Sequence, residues 1–318
     1  MPEKVLVTRE IPQAGFGPLE GFDVTVLSEA PPERGELLGA ARGAEGVLST
    51  VTEKIDGEFM DAAGEGLKVV ANMAVGYDNV DVVAARERGI VVTNTPGVLD
   101  ETTADVAFML LLAAARRLGE SERVLRSGRW EWWGPKLFTG PDVWGKRLGI
   151  VGLGRIGQAV ARRARGFGME IVYHNRSRKP EAEEELGARY LELDELLRTA
   201  DFVSIHTPLT DETHHLIGAE ELEKMRPRAV LVNTSRGPVV DEAALADALV
   251  QGRIFAAGLD VYEEEPKVHP KLLDLENAVL APHIGSGSIE TRDKMATLAA
   301  ENLAAVLRGE APKTPIKS

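Results

Sequence analysis

Residues 144–180 read WGKRLGIVGLGRIGQAVARRARGFGMEIVYHNRSRKP. The apolar run Leu148–Val151 has the composition of a buried strand and leads straight into Gly152-Leu153-Gly154-Arg155-Ile156-Gly157. Helical periodicity follows from Gln158 to Gly168, and a second apolar run, Ile171–Tyr173, ends at His174-Asn175-Arg176-Ser177-Arg178. A strand, a glycine turn, a helix and a second strand within about 30 residues is the context that a dinucleotide site requires. Gly152 permits the tight turn, Gly154 admits a pyrophosphate to the backbone, and Gly157 lets the helix close on the strand. The phosphates then lie on the free N–H groups of that helix. Glycines in such a turn can be purely structural, so the flanking elements carry the dinucleotide reading.

The end of the second strand bears on which dinucleotide. An NAD site usually places an acidic residue there, about 20 residues beyond the glycines, for the ribose 2′-hydroxyl. This chain has Asn175, which cannot repel a phosphate, followed by Arg176, Ser177 and Arg178. Guanidinium forks and a hydroxyl suit a 2′-phosphate. A solvated basic loop is the plainer alternative; the expectation favours NADP(H) over NAD(H).

At 318 residues the chain is long for one domain and comfortable for two. The balance of 37 basic and 50 acidic residues gives −13, with a pI near 5.1, which argues against a nucleic-acid or anionic-membrane surface. There is no cysteine, hence no disulfide and no thiolate nucleophile or metal ligand, and no metal is expected. The start, MPEKVLVTRE, reads as a strand without a signal-peptide core, and the longest apolar run, Val106–Ala115, is too short to span a bilayer. A cytoplasmic protein is expected.

Short apolar runs at 4–8, 23–27, 46–50, 68–72 and 90–93 alternate with helical or turn-rich segments. Near-continuous apolar strands between helices imply a parallel sheet covered on both faces, a first α/β unit. Beyond its third run stands Ser49-Thr50-Val51, and beyond its fourth Asn72-Met73-Ala74-Val75-Gly76-Tyr77-Asp78-Asn79. Ligands on open parallel sheets bind past the carboxyl ends of strands, so Val75 and Gly76 could offer N–H groups to a carboxylate; they could equally be ordinary turns. Thr93-Asn94-Thr95-Pro96-Gly97 breaks the pattern and marks a boundary, and a helix is expected from about 101 to 118. Three of the four tryptophans, Trp130, Trp132 and Trp133, follow in a weakly periodic segment that reads as an interface or as packing under a loop. Further strands are expected at 201–205, 229–232, 255–258 and 278–280, and a long amphipathic helix from Ile289 to Leu307.

The later strands end at polar residues: His206-Thr207-Pro208, Asn233-Thr234-Ser235-Arg236-Gly237, Asp260 with Glu265 close behind, and His283-Ile284-Gly285. Arg236, Glu265 and His283 make a chemically sensible set. Hydride delivery to a carbonyl carbon needs a proton at its oxygen, and histidine is the natural donor near neutral pH. A carboxylate on the other ring nitrogen fixes the tautomer and favours the imidazolium. Arginine holds a substrate carboxylate and polarises the neighbouring carbonyl. Singly, each has a bland alternative: a satisfied loop histidine, one glutamate of three in a row, a structural salt bridge.

The segments VGLGRIGQ (151–158), NTSRGPVVDEAAL (233–245), GLDVYEEEP (258–266) and PHIGS (282–286) resemble the D-isomer-specific 2-hydroxyacid dehydrogenases, and the resemblance spans essentially the whole chain. It implies that Arg236 binds substrate, Glu265 partners the histidine and His283 is the acid/base. It implies substrate contacts from the Val75 and Gly76 amides, from Thr50 beside them, and from Arg236 and His283. The cofactor would be lined by Thr103, by Gly152, Leu153, Gly154, Arg155, Ile156 and Gly157, and by Asn175, Arg176 and Ser177. Thr207, Pro208, Thr213, Thr234, Ser235, Arg236, Asp260, His283 and Gly285 would complete that lining.

The implied architecture is two doubly wound parallel-sheet domains in a homodimer, with the active site between them. A Rossmann dinucleotide-binding domain with a dimerisation arm (99–284) is inserted in a flavodoxin-like substrate domain (1–98 and 285–318). TREIP near the start, the VGYDNVD loop and NRSRK look most like the glyoxylate/hydroxypyruvate reductases, in some of which a partner tryptophan reaches the substrate; Trp133 is the candidate. The expected substrate is a small 2-oxo acid, interconverted with its 2-hydroxy acid. 3-Phosphoglycerate dehydrogenase would want an acid at position 175, formate dehydrogenases carry glutamine in place of Glu265, and D-lactate dehydrogenase stays open. A dinucleotide-sensing corepressor is the alternative of another class, separable by turnover.

Overall fold

In the computed structural model, which describes residues 2–316, the chain divides into two compact units. One comprises the chain up to Leu99 and from Ser286 onward, the other Asp100–Gly285.

The first unit begins with β1 (Lys4–Val7), β2 (Asp23–Val26), α1 (Arg34–Ala41), β3 (Gly46–Ser49), α2 (Gly57–Ala63), β4 (Val69–Asn72), α3 (Val82–Glu87) and β5 (Val91–Thr93). Its strands are all parallel in the order β2-β1-β3-β4-β5, the flavodoxin-like arrangement. β3 and β4 are buried along their whole length, which is why the sequence shows apolar runs and not alternation. Only the edge strand β2 is largely open. Asp56 and Asp81 start α2 and α3 by accepting N–H groups of the first turn.

The second unit runs through α4 (Asp100–Ala115), α5 (Leu118–Arg126), β6 (Arg147–Val151), α6 (Arg155–Gly166), β7 (Glu170–His174), α7 (Pro180–Leu186) and β8 (Arg189–Tyr190). It continues with α8 (Leu193–Thr199), β9 (Phe202–Ile205), α9 (Ala219–Lys224), β10 (Val230–Asn233), α10 (Glu242–Val250), β11 (Ala256–Leu259), α11 (Pro270–Leu273) and β12 (Ala278–Leu280). The seven strands are parallel in the order β12-β11-β10-β9-β6-β7-β8, the Rossmann order extended by one strand. Successive residues feed opposite cores. Phe202, Val230 and Val232 pack with α4 and α6 on one face, Val203 and Leu231 with α8, α9 and α10 on the other. Each fully buried side chain of this size contributes about 1.5–3 kcal/mol. The last helix, α12 (Ile289–Leu307), packs on β3, β4 and β5 of the first unit.

The doubly wound fold is therefore the one the sequence implies; details differ. The helix expected to reach 118 stops at Ala115, because Arg117 turns into the left-handed region with φ 51° and α5 starts afresh. α6 begins at Arg155, three residues before the expected Gln158, because the last glycine of the motif already lies inside it. β8 is two residues long and leaves no apolar run to read. Among the described residues no helix is long and apolar enough to cross a membrane.

Candidate active site

The strand order of the second unit reverses at β6, which lies between β7 and β9, and the crevice at that point is where such sheets bind ligands. The β6–α6 turn is shaped for close approach. Gly152 has φ 101°, and a Cβ there would lie 2.7 Å from the carbonyl carbon of His206. A Cβ on Gly157 would sit 2.3 Å from the Gly152 oxygen, whereas Gly154 faces open space. No side chain caps α6, so its first-turn N–H groups stay available for a phosphate. Just past the ends of β9 and β10 the hydroxyls of Thr207 and Thr234 are buried without a hydrogen-bond partner among the described residues. A cradle open at Gly154 and two orphaned hydroxyls fit a dinucleotide.

At the end of β7 the Leu153 N–H donates to Asn175 Oδ1 over 2.7 Å. That bond settles the orientation of the amide, whose NH2 group faces away from the Leu153 N–H as a donor. Arg176 and Glu212 are near enough for the arginine's charge to help hold the Glu212 carboxyl low, after the larger effect of a Thr210 hydrogen bond. Arg178, which the sequence places with them as a phosphate fork, is committed elsewhere. Its Nη2 lies 2.5 Å from Glu183 Oε2 and its Nε 3.0 Å from Oε1. Glu183 also accepts the Tyr173 hydroxyl, and the hydrogen bonds from Arg178 and Tyr173, with the arginine's charge behind them, hold its pKa down to about 2.

Glu265 and His283 are brought together from the loops after β11 and β12. His283 Nδ1 lies 2.7 Å from Glu265 Oε2, and the other carboxylate oxygen accepts the Tyr262 N–H at 3.0 Å. Burial pushes the Glu265 carboxyl upward, but the histidine, the Tyr262 N–H and the charge of Arg236 outweigh it, so its pKa falls below the ordinary value. The carboxylate stays ionised and engages Nδ1, leaving Nε2 for a substrate oxygen. His283 itself has φ 53°, a conformation that costs a non-glycine residue about 1–3 kcal/mol and persists only where neighbours enforce it. Asp260 does the enforcing. Its carbonyl takes the His283 N–H at 3.0 Å, and its buried carboxylate takes the Ile284 and Gly285 N–H groups, each at 2.7 Å. His206 also ends a strand near the cofactor cradle, but burial pulls its pKa down to about 4 and its Nε2 lies 2.8 Å from Ser204 Oγ, so it is no proton donor at neutral pH.

Arg236 extends from the turn after β10. Asn233 holds that turn: its Oδ1 accepts the Ser235 N–H and hydroxyl, at 3.0 and 2.9 Å, and its Nδ2 donates to the Arg236 carbonyl at 2.8 Å.

In the first unit the loops after β3 and β4 carry Thr50, Val75 and Gly76. Glu53, 4% exposed, accepts the Thr50 N–H and hydroxyl, the Thr8 hydroxyl, and hydrogen bonds from Thr52 and Arg9. Burial raises its pKa and these donors more than reverse the effect. Thr50 thus spends its hydroxyl proton on Glu53.

The model for the D-isomer specific 2-hydroxyacid dehydrogenase NAD binding domain matches residues 108–285. This chain belongs to that family. It is similar to a glyoxylate reductase of Thermococcus litoralis, 52% identical over 98% of this chain and 96% of the relative. Among solved structures it resembles a protein of Thermus thermophilus, with a TM-score of 0.93 and 50% identity over 99% of this chain and all of that one. It also resembles an NADPH-dependent glyoxylate/hydroxypyruvate reductase of Sinorhizobium meliloti in complex with NADP and malonate. There the TM-score is 0.86 and the identity 38%, over 99% of this chain and 97% of that one.

Within this dehydrogenase, Thr103, Asp260 and Gly285 cluster: a Cβ on Gly285 would meet Asp260 Oδ2 at 3.1 Å and Thr103 Cγ2 at 3.4 Å. Thr213 is held in its own loop, where its hydroxyl donates to the Pro208 carbonyl at 2.7 Å. Trp133 is 78% exposed and lines an apolar groove with Leu118, Leu125, Trp130, Leu137 and Phe138. Sequence reasoning missed Asn233, Glu53 and the loop-holding role of Asp260, whose only signal was polarity at a strand end. No group of three or more His, Asp or Glu among the described residues is arranged to hold a metal.

Proposed function

We propose that the chain reduces small 2-oxo acids, glyoxylate and hydroxypyruvate foremost, to D-2-hydroxy acids, with NADPH preferred. The Glu265–His283 pair at 2.7 Å, in a unit with a dinucleotide cradle, carries the reading. The relatives' reductase names add to it. When bound, the dihydronicotinamide supplies a hydride to the carbonyl carbon. His283 gives the Nε2 proton to the carbonyl oxygen, and Glu265 stabilises the imidazolium beforehand. Arg236 polarises the carbonyl and neutralises the acid, and the Val75 and Gly76 N–H groups bind its carboxylate.

The preference for NADPH rests on Asn175, Arg176 and Ser177, with Arg178 withdrawn from the set. The fixed amide of Asn175 offers its NH2, and Arg176 a charge, to a 2′-phosphate. The test is the initial rate of nicotinamide oxidation with NADPH and NADH, each with glyoxylate, hydroxypyruvate and pyruvate. Fast NADPH oxidation with the first two acids is expected; cofactor binding without turnover would favour a dinucleotide sensor. In Arg176→Ala the KM for NADPH should rise about ten- to a hundredfold, the scale of one charge-assisted hydrogen bond, and that for NADH far less. Equal losses would remove the phosphate from this loop.

The chain is also proposed to form a homodimer. α5 buries none of its residues, and it leaves Leu118 and Leu125 exposed beside Trp130, Trp133 and Leu137, an apolar face suited to a second copy. Trp133 would then reach the partner's substrate. Light scattering should give twice the chain mass, and a monomeric mass at assay concentration would retire the dimer and the role of Trp133.

A further inference from the structure

We infer that Asn94 is a positioning residue for the acid-binding amides, with Asn72 bracing the peptide that follows them. The inference rests on the proposed role of Val75 and Gly76. In a planar trans peptide the carbonyl of one residue and the N–H of the next point in opposite directions. Holding a carbonyl from behind therefore aims the following N–H forward. The Ala74 carbonyl accepts the Thr95 N–H at 2.8 Å, and the Val75 carbonyl accepts Asn94 Nδ2, also at 2.8 Å. Both holds come from the same short segment, so the N–H groups of Val75 and Gly76 both face away from it. Among the described residues neither N–H has an acceptor. Two successive N–H groups turned the same way form a concavity for an anion.

The next peptide is fixed in the same manner, with the Gly76 carbonyl accepting Asn72 Nδ2 at 2.9 Å. Asn72 is fully buried and braced in turn, its Oδ1 accepting the Ser49 hydroxyl at 3.1 Å. Asn79 Nδ2 donates to the Thr50 and Glu53 carbonyls, at 2.8 and 3.0 Å, so the same network fixes the β3 loop. Asn94 has its own anchor, since Thr314 accepts its N–H at 3.3 Å and gives a hydroxyl to its carbonyl at 2.6 Å. The side-chain amide is thus presented by a fixed backbone. The N–H pair is aimed before any substrate arrives, so binding spends nothing on turning peptides.

The test compares Asn94→Ala and Asn94→Asp with the wild type. Asn94→Asp keeps the volume but sets an acceptor against the Val75 carbonyl. Each should raise the KM for glyoxylate and the inhibition constant of oxamate, a non-reacting analogue, by about tenfold, the scale of one net hydrogen bond. Asn94→Asp should be the more affected. The KM for NADPH and the melting temperature should hold, and kcat should change less than the KM for the acid. Unchanged glyoxylate KM and oxamate inhibition in both variants would overturn the inference while leaving the proposed activity standing. So would a uniform loss in kcat, both KM values and melting temperature, the mark of a merely structural asparagine. A wild-type enzyme that neither turns over glyoxylate nor binds oxamate would overturn the proposed activity, and this inference with it.

Discussion

His283→Ala is expected to lower kcat for glyoxylate reduction at least ~100-fold, the usual scale of general acid catalysis, with NADPH affinity nearly intact. The affinity should survive because the cradle is built from the β6–α6 turn, Asn175 and the threonines, none of which depends on the imidazole. Glu265→Gln supplies the matching half of the argument. The amide can still take a hydrogen bond from Nδ1 but no longer offers a full negative charge to the imidazolium. Its rate should fall less than that of His283→Ala at low pH, and the gap between the two variants should narrow as pH rises. The pKa of Glu265 is depressed in the folded protein, so its charge is present at neutral pH and is lost only as pH falls through that lowered value. Steady-state rates and cofactor titrations across pH check all three statements. Near-normal turnover of His283→Ala would remove the residue from the mechanism.

Legibility from sequence followed burial. β3, β4, β9 and β10 announce themselves because both faces of a parallel sheet are covered, so every position is buried and most are apolar, with Ser49, Asn72, Ser204 and Asn233 as the polar exceptions. The glycine motif is readable because close approach excludes side chains, and the geometry at Gly152 and Gly157 is that exclusion seen directly. The polar strand ends are readable because doubly wound sheets put function there. What stayed hidden is how polar groups share partners. Arg178 looks like Arg176 in the sequence, yet Glu183, five residues on, claims it. Asn175 reads as the absence of an acid, whereas its oxygen is spent on Leu153. The sequence marks residues 93–97 as a boundary, and nothing in it says that Asn94 reaches back to Val75. Hydrogen bonds between residues 19 apart leave no periodic trace, unlike the apolar stripe of a strand.

Gly237→Ala should be severely damaging although it replaces no catalytic side chain. A Cβ at this buried position would lie 1.9 Å from both the carbonyl carbon and oxygen of Tyr262, and 2.4 Å from the Glu263 nitrogen. These are backbone atoms, so no rotamer change relieves the contact, and neither side is free to yield. The Tyr262 N–H donates to Glu265, and the Glu263 N–H donates at 2.8 Å to Glu242, itself almost fully buried. On the other side Asn233 holds the turn through the Arg236 carbonyl. Added volume must part the loop that carries Arg236 from the loop that carries Glu265. Forcing one extra carbon into a packed interior costs about 1–3 kcal/mol, and a misplacement of about 1 Å at a reacting centre can cost about 100-fold in rate. The expected outcome is a lower melting temperature together with a fall in kcat/KM for glyoxylate of about that size. Calorimetry and steady-state kinetics on the same preparation decide it. A variant that melts and turns over like the wild type would mean that the two loops adjust independently, and that the contact between their backbones does not set the spacing of Arg236 and Glu265.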